Sequence, residues 1–223
     1  NFISQYRNMF HHFHHQHSDM EAFTFWAGCG AIKKGIFDKI GGFDQKRYTK
    51  PSIEDIELGY RICKKGYRIL LEKDLQVKHL KQWGFLSMLR ADIFQRAIPW
   101  SHLILETKFL PKNLNLKLSH KISSILVALL FLLMPSLFLT HTKFYNIPVP
   151  HIAGFFSLIL FTNFFILNRK LYSFYTKKRG IIFTIKVIPL HILYYLYSGV
   201  SFVSCWIVYK IPIFESFNHP EKD

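Results

Sequence analysis

Residues 51–66 read PSIEDIELGYRICKKG, and this stretch decides how the first half of the chain is read. Ser52 is a good helix N-cap, and Asp55 stands three residues on, at the capping-box position. Lys64 and Lys65 fall in the last turn, and Gly66 is a C-terminal stop. The helix can be drawn as a wheel at about 100° per residue, with Ile53 at the origin. Glu54, Glu57, Arg61, Lys64 and Lys65 then share one narrow arc, a solvated face laced by ion pairs. Ile53, Ile56, Leu58, Gly59, Tyr60, Ile62 and Cys63 fill the remainder. Asp55 lies in the middle of that apolar arc as its only charge. Glu54 thus reads as a surface residue, whereas Asp55 points toward the interior or a cleft. Two readings of Asp55 stay open. It caps its own helix, or it is a general base kept ionised by the positive end of the helix dipole. A base needs a proton to abstract, so an acceptor hydroxyl should lie beside it.

On either side of this helix the pattern reads as mixed α/β. Residues 22–32, AFTFWAGCGAI, read as a strand ending in small residues, and 33–40 as a short helix stopped by Gly41-Gly42. Residues 67–71 and 75–79 read as short strands. Residues 85–105 read as helical, interrupted near Pro99. At the start, His11, His12, His14, His15 and His17 crowd into seven residues. They fit either a metal site or an amphipathic helix with Phe10 and Phe13 turned inward.

The second half is written for a different solvent. Uncharged runs extend over 122–140, 149–168 and 187–209, and a spanning helix needs about 20 such residues. Three buried helices of a soluble bundle are the competing reading, but such helices carry a polar stripe that these lack. We therefore divide the chain into residues 1–118 and a transmembrane region 119–223. Lys108, Lys112, Lys117 and Lys121 precede the first span, and Arg169, Lys170, Lys177, Lys178 and Arg179 follow the second. Only Lys143 occupies the loop between them. By the positive-inside rule, 1–118 and 169–179 face the cytoplasm and the C-terminus lies beyond the membrane. Lys186 interrupts the pattern and is expected to snorkel from a short interfacial helix at 180–188, ended by Pro189.

The chain has 223 residues, 50% hydrophobic and 17% aromatic, which excludes a disordered polymer. Cys29, Cys63 and Cys205 are too far apart for a disulfide scaffold or a structural zinc site. A net charge of +15 points to an anionic partner. Nucleic acid is not expected, because much of the charge flanks membrane spans and no nucleic-acid motif is present. The first residue is Asn, and the expectation is a C-terminal part of something longer.

The run FWAGCGAIKKGIFDKIGGFD, then IEDIELGYRICKKGYRI, then VKH, resembles the C-terminal half of a family 2 glycosyltransferase catalytic domain, over roughly residues 20–100. The resemblance implies an α/β fold, the C-terminal half of a GT-A glycosyltransferase domain, followed by about three transmembrane α-helices. It implies inverting transfer of a sugar from a nucleotide-diphosphate donor to a glycan or lipid-linked acceptor, next to membrane lipids. Asp55 matches the catalytic base, with its neighbour Glu54 as runner-up. Gly28, Cys29 and Gly30 match the small-residue turn lining the acceptor site. His79 matches a His that in some such enzymes holds the metal or the diphosphate. Gln95, Arg96 and Trp100 stand where the family has Gln-x-x-Arg-Trp, although QRAIPW departs from that spacing. A divalent metal, Mg or Mn, is expected from the family. The Asp-x-Asp motif that would hold it does not occur in these 223 residues. The donor-binding half is therefore expected to lie outside the chain, which alone would be inactive. The alternative is a non-catalytic membrane interaction subunit or a degenerate fragment.

Overall fold

A computed structural model of the chain describes residues 1–108 and 117–211. Of these residues 69% are helical and 4% lie in strands, in two sheets of two strands each. This overturns the expected α/β half of a GT-A domain: no central sheet forms among the described residues. They fall into two compact units, one made of 1–108 with 201–211, the other of 117–200.

The first unit begins with α1 (Phe2–Gln16), capped by the Asn1 side chain accepting from the Ser4 N–H at 2.8 Å. Tyr6, Phe10 and Phe13 are its buried face, so Phe10 and Phe13 turn inward as expected. Strand β1 (Glu21–Ala22) pairs antiparallel with β2 (Ile69–Leu70), Glu21 opposite Leu70. A strand lasts only while a neighbour takes up its N–H and C=O groups. Beyond Ala22 the ladder with β2 does not continue, and the expected strand to Ile32 becomes a 3₁₀ turn at Ala27–Cys29. The expected strand at 75–79 has no ladder among the described residues, and Leu75 and Val77 are exposed. The segment following it is held from α1. Ser4 Oγ accepts the Trp83 N–H at 2.8 Å, and Asn8 Nδ2 donates to the Lys81 carbonyl at 3.3 Å.

Helix α2 (Lys34–Ile40) ends at Gly41, which takes the left-handed conformation at φ 88°. Helix α3 (Glu54–Lys64) stops before Gly66 as expected, but its start differs. Ile53 is the cap residue, and the Ser52 hydroxyl instead donates to the Gln95 carbonyl at 2.9 Å. The cause lies at Pro99. Helix α4 (Phe85–Asp92), a π turn (Ile93–Ala97) and α5 (Ile98–Thr107) form one helical run. Pro99 has no N–H to offer the carbonyl four residues back, so Gln95 takes its donor from Ser52. Glu57 is also displaced from its expected solvated face: it is 7% exposed and bonded at 2.6 Å by Arg61. Arg61 also donates to the carbonyls of Ile40 and Gly42, which pulls the pair inward.

In the second unit, α6 (Leu118–Leu133) runs into a 3₁₀ turn at Met134–Phe138 and then a hairpin of β3 (Lys143–Phe144) and β4 (Ile147–Pro148). Tyr145 and Asn146 make the turn with φ of 48° and 65°. Then come α7 (Val149–Leu167), α8 (Arg169–Arg179) and the 30-residue α9 (Ile181–Lys210), whose last ten residues group with the first unit. Pro189 lies inside α9 rather than ending it, contrary to expectation. In apolar surroundings an unwound helix would strand its backbone polar groups. Val127, Phe164, Tyr172 and Tyr195 form the core. Leu118–Phe138, Val149–Leu167 and Ile181–Lys210 are long and apolar enough to cross a membrane.

Candidate functional site

The Asp55 carboxylate sits in the first turn of α3 and faces the 3₁₀ turn. Its Oδ2 accepts the Ala27 N–H at 3.2 Å, and Oδ1 accepts the Ile56 N–H at 2.8 Å. Asp55 is half-buried, and burial raises its pKa above the ordinary carboxylate value, assisted by the neighbouring Glu54 charge. The two N–H donors oppose that rise. Glu54 is not the free surface residue the wheel suggested: its Oε2 accepts the Ser52 N–H at 2.6 Å.

The turn that meets Asp55 is the expected small-residue run. Gly28 and Gly30 are exposed and Cys29 is half-buried. A Cβ on Gly28 would stand 2.8 Å from the Trp26 ring, so a side chain there would push that ring aside. Small residues thus leave the backbone beside Asp55 open to a substrate.

Trp26 leads from this turn to a cleft lined also by Arg7, Asn8, His11, His79, Trp83 and Arg96. Two guanidiniums line it, and Lys81 stands beside its Trp83. Arg7 Nη2 and Arg96 Nη1 both bond Asp92 Oδ1, at 2.6 and 2.9 Å, and Asp92 is 3% exposed. Lys81 Nζ stands 4.3 Å from the centre of the Trp83 ring. Asn8 Oδ1 accepts Trp83 Nε1–H at 3.3 Å and lies 3.1 Å from His79 Nδ1. The His11 ring is 4.4 Å from His15 and 6.4 Å from His79, centre to centre. Burial first, then neighbouring positive charge, lowers the pKa of both His11 and His79. Burial and Arg96 likewise lower that of Lys81. Crowded cations that depress one another are suited to receive an anion.

The structure thus brings Asp55 to the 27–30 turn and places Arg96 and His79 on one cleft. Of the remaining expected residues, Glu54 adjoins Asp55, whereas Gln95 and Trp100 do not line the cleft. Gln95 engages Ser52 through its backbone. Trp100 donates to Tyr60 OH at 2.9 Å and packs against Ile53 and Leu103, a contact between α5 and α3. Sequence reading missed Arg7, Asn8, Asp92 and Trp83. Arg7, His11 and His15 recur every four residues on α1, a stripe overshadowed by the histidine count.

A resident divalent metal does not fit this cleft. His79 stands among Arg7, Lys81 and Arg96, whose charges oppose a cation. Among the described residues no three His, Cys, Asp or Glu are grouped to hold one.

Set against protein-family models, curated proteins and solved structures, the chain matches none. What its fold defines is a multi-pass membrane protein, by the length and apolar character of three helices.

Proposed function

We propose that the chain is the acceptor-side part of a membrane-bound inverting glycosyltransferase, with Asp55 as its general base. The observation that carries this reading is the placement of Asp55. A half-buried carboxylate with a raised pKa, at a helix N-terminus, meets a turn of small residues open to substrate. The acceptor hydroxyl would give its proton to Asp55 as its oxygen attacks the anomeric carbon. The bond from that carbon to the donor diphosphate breaks on the opposite side, and the configuration inverts. The electron pair leaves with the diphosphate, whose charge Arg7 and Arg96 would meet, with His79 beside them. Asp92 would position the two guanidiniums. The basic end of the second unit, with Arg169, Lys170, Lys177, Lys178 and Arg179, favours a cytoplasmic placement for that end.

The test is sugar transfer from nucleotide-sugar donors to lipid or polymer acceptors in membranes holding the protein as its gene encodes it. Asp55→Asn should lower turnover by at least about 10²-fold, while Asp55→Glu keeps part of it. Near-normal turnover in Asp55→Asn removes Asp55 as base. A wild-type protein that inserts correctly yet transfers no sugar favours the second reading, a non-catalytic membrane interaction subunit. The absence of Asp-x-Asp from the chain supports that alternative.

A further inference from the structure

Residues 117–200 hold nine Lys and Arg and not one Asp or Glu. Six of the cations, Arg169, Lys170, Lys177, Lys178, Arg179 and Lys186, are exposed and lie on α8 and the first turns of α9. These two segments form a helical hairpin. Thr176 Oγ1 and Thr184 Oγ1 are 2.9 Å apart, and the Tyr172 hydroxyl lies 2.9 Å from His191 Nδ1. Gly180 turns the chain between them at φ 85°. On α8, Leu171, Tyr172 and Tyr175 are buried, while Arg169, Lys170 and Lys177 fall on the opposite side within about 100°. At the tip, Ile181, Ile182 and Ile185 are exposed at 59, 70 and 58%, directly after Lys177-Lys178-Arg179.

Length adds a second, independent observation. The 30 residues of α9 extend about 45 Å, whereas a bilayer core is about 30 Å thick. Some ten residues are in excess. The Tyr195 hydroxyl lies 2.7 Å from His120 Nδ1, near the start of α6, and donates at 3.2 Å to Asn168, where α7 ends. The part of α9 before Tyr195 contacts α8 through Thr184 and His191.

We propose that this hairpin is a docking element for anionic phospholipid headgroups of the adjoining leaflet. Its cations engage lipid phosphates while Ile181, Ile182 and Ile185 sink among the first acyl carbons. Charge complementarity selects the occupant. Six exposed cations beside an apolar tip match a negatively charged membrane face, and no carboxylate of their own unit competes for it. The proposal does not depend on the transferase reading.

The experiment places the full chain in nanodiscs of phosphatidylcholine and phosphatidylglycerol and measures which lipid stays bound on extraction into detergent. The wild type should retain phosphatidylglycerol preferentially, with the preference shrinking as salt rises from about 50 to about 500 mM. Lys177→Gln/Lys178→Gln/Arg179→Gln should lose the preference, by roughly five-fold for each charge removed, whereas Lys177→Arg/Lys178→Arg should keep it. Ile182→Trp, with Trp26, Trp83, Trp100 and Trp206 replaced by Phe, should fluoresce and be quenched by brominated acyl chains near the headgroups. Equal retention in the neutralised variant overturns the proposal, as does a salt-independent preference in the wild type. So does an unquenched Trp at 182, which would place the tip against a protein or in water. Selective retention of an added polyprenyl phosphate with no preference for phosphatidylglycerol also overturns it, by making the patch a single-lipid acceptor site.

Discussion

Asp55 is held between opposing influences: burial raises its pKa, and the backbone N–H groups of Ala27, Ile56 and Asp55 itself lower it. Burial prevails, so the base should lose its proton at a higher pH than an ordinary aspartate. In the proposed reaction only the ionised form works. The acid limb of kcat/KM should therefore rise through an apparent pKa above 3.8, the ordinary value for Asp. Asp55→Glu should keep such a limb at reduced rate, and a limb unchanged in Asp55→Asn would assign it elsewhere. The cleft histidines carry the opposite sign. Their neutral forms are favoured in the folded protein, with His11 well below 6.5 and His15 and His79 also lowered. On acidification the unfolded chain binds protons first, so this stability is complete above about pH 6.5 and is lost as pH falls below it. The urea midpoint followed by tryptophan emission, with Trp26 and Trp83 at the cleft, should drop between about pH 7.5 and about pH 5. A midpoint that holds steady in the wild type, or drops equally in His11→Gln/His79→Gln, would sink this account.

Helix α3 owes its position to Gly59, where a Cβ would overlap the Phe25 backbone nitrogen and stand 2.7 Å from the Thr24 Cα. Backbone cannot give way as a flexible side chain can. Gly59→Ala should lower stability by about 1–3 kcal/mol through overpacking. It should do so although Ala is the better helix former by about 1 kcal/mol. Thermal unfolding of the detergent-purified protein is the measure, and a melting temperature equal to or above wild type would refute the close approach. The same helix shows which features could be read in advance. Its C-terminal stop rests on local chemistry, Lys64 to Gly66, and the sequence states it. Its N-cap depended on a proline more than 40 residues away that leaves the Gln95 carbonyl without a donor. Glu57 left its expected face because Arg61 reaches carbonyls in the preceding loop. Strands were the least legible elements. Residues 22–32 and 75–79 have strand-like composition, yet pairing is a non-local condition that composition does not contain. Asp55 stood out on the wheel as a lone charge in an apolar arc. The Arg7–Asp92–Arg96 cluster did not, since Arg7 lies 85 positions from Asp92.

At the scale of the whole molecule, the apolar runs predicted the spans to within a few residues, except that α9 begins six residues before the expected 187. A run of about 20 apolar residues is legible because the bilayer imposes its length on every such segment. Orientation rests on a weaker quantity, the asymmetry of loop charge. The 169–179 segment carries five Lys and Arg, and the 139–148 hairpin carries only Lys143. Placing the first on the cytoplasmic side sets the hairpin outside and sends α9 outward again. A cysteine-free background makes this measurable, with Cys29, Cys63 and Cys205 replaced by Ser. Lys143→Cys should react with a membrane-impermeant maleimide in intact cells. Arg179→Cys should react only after permeabilisation. The reverse pattern would invert the orientation and remove Asp55 from cytoplasmic nucleotide sugars. Labelling of both positions in intact cells would mean that the segment between them does not cross the membrane, and the three-span topology itself would fall. Neutralising Arg169, Lys170, Lys177, Lys178 and Arg179 together should leave the orientation unchanged, because Lys108, Lys112, Lys117 and Lys121 before the first span still outnumber Lys143.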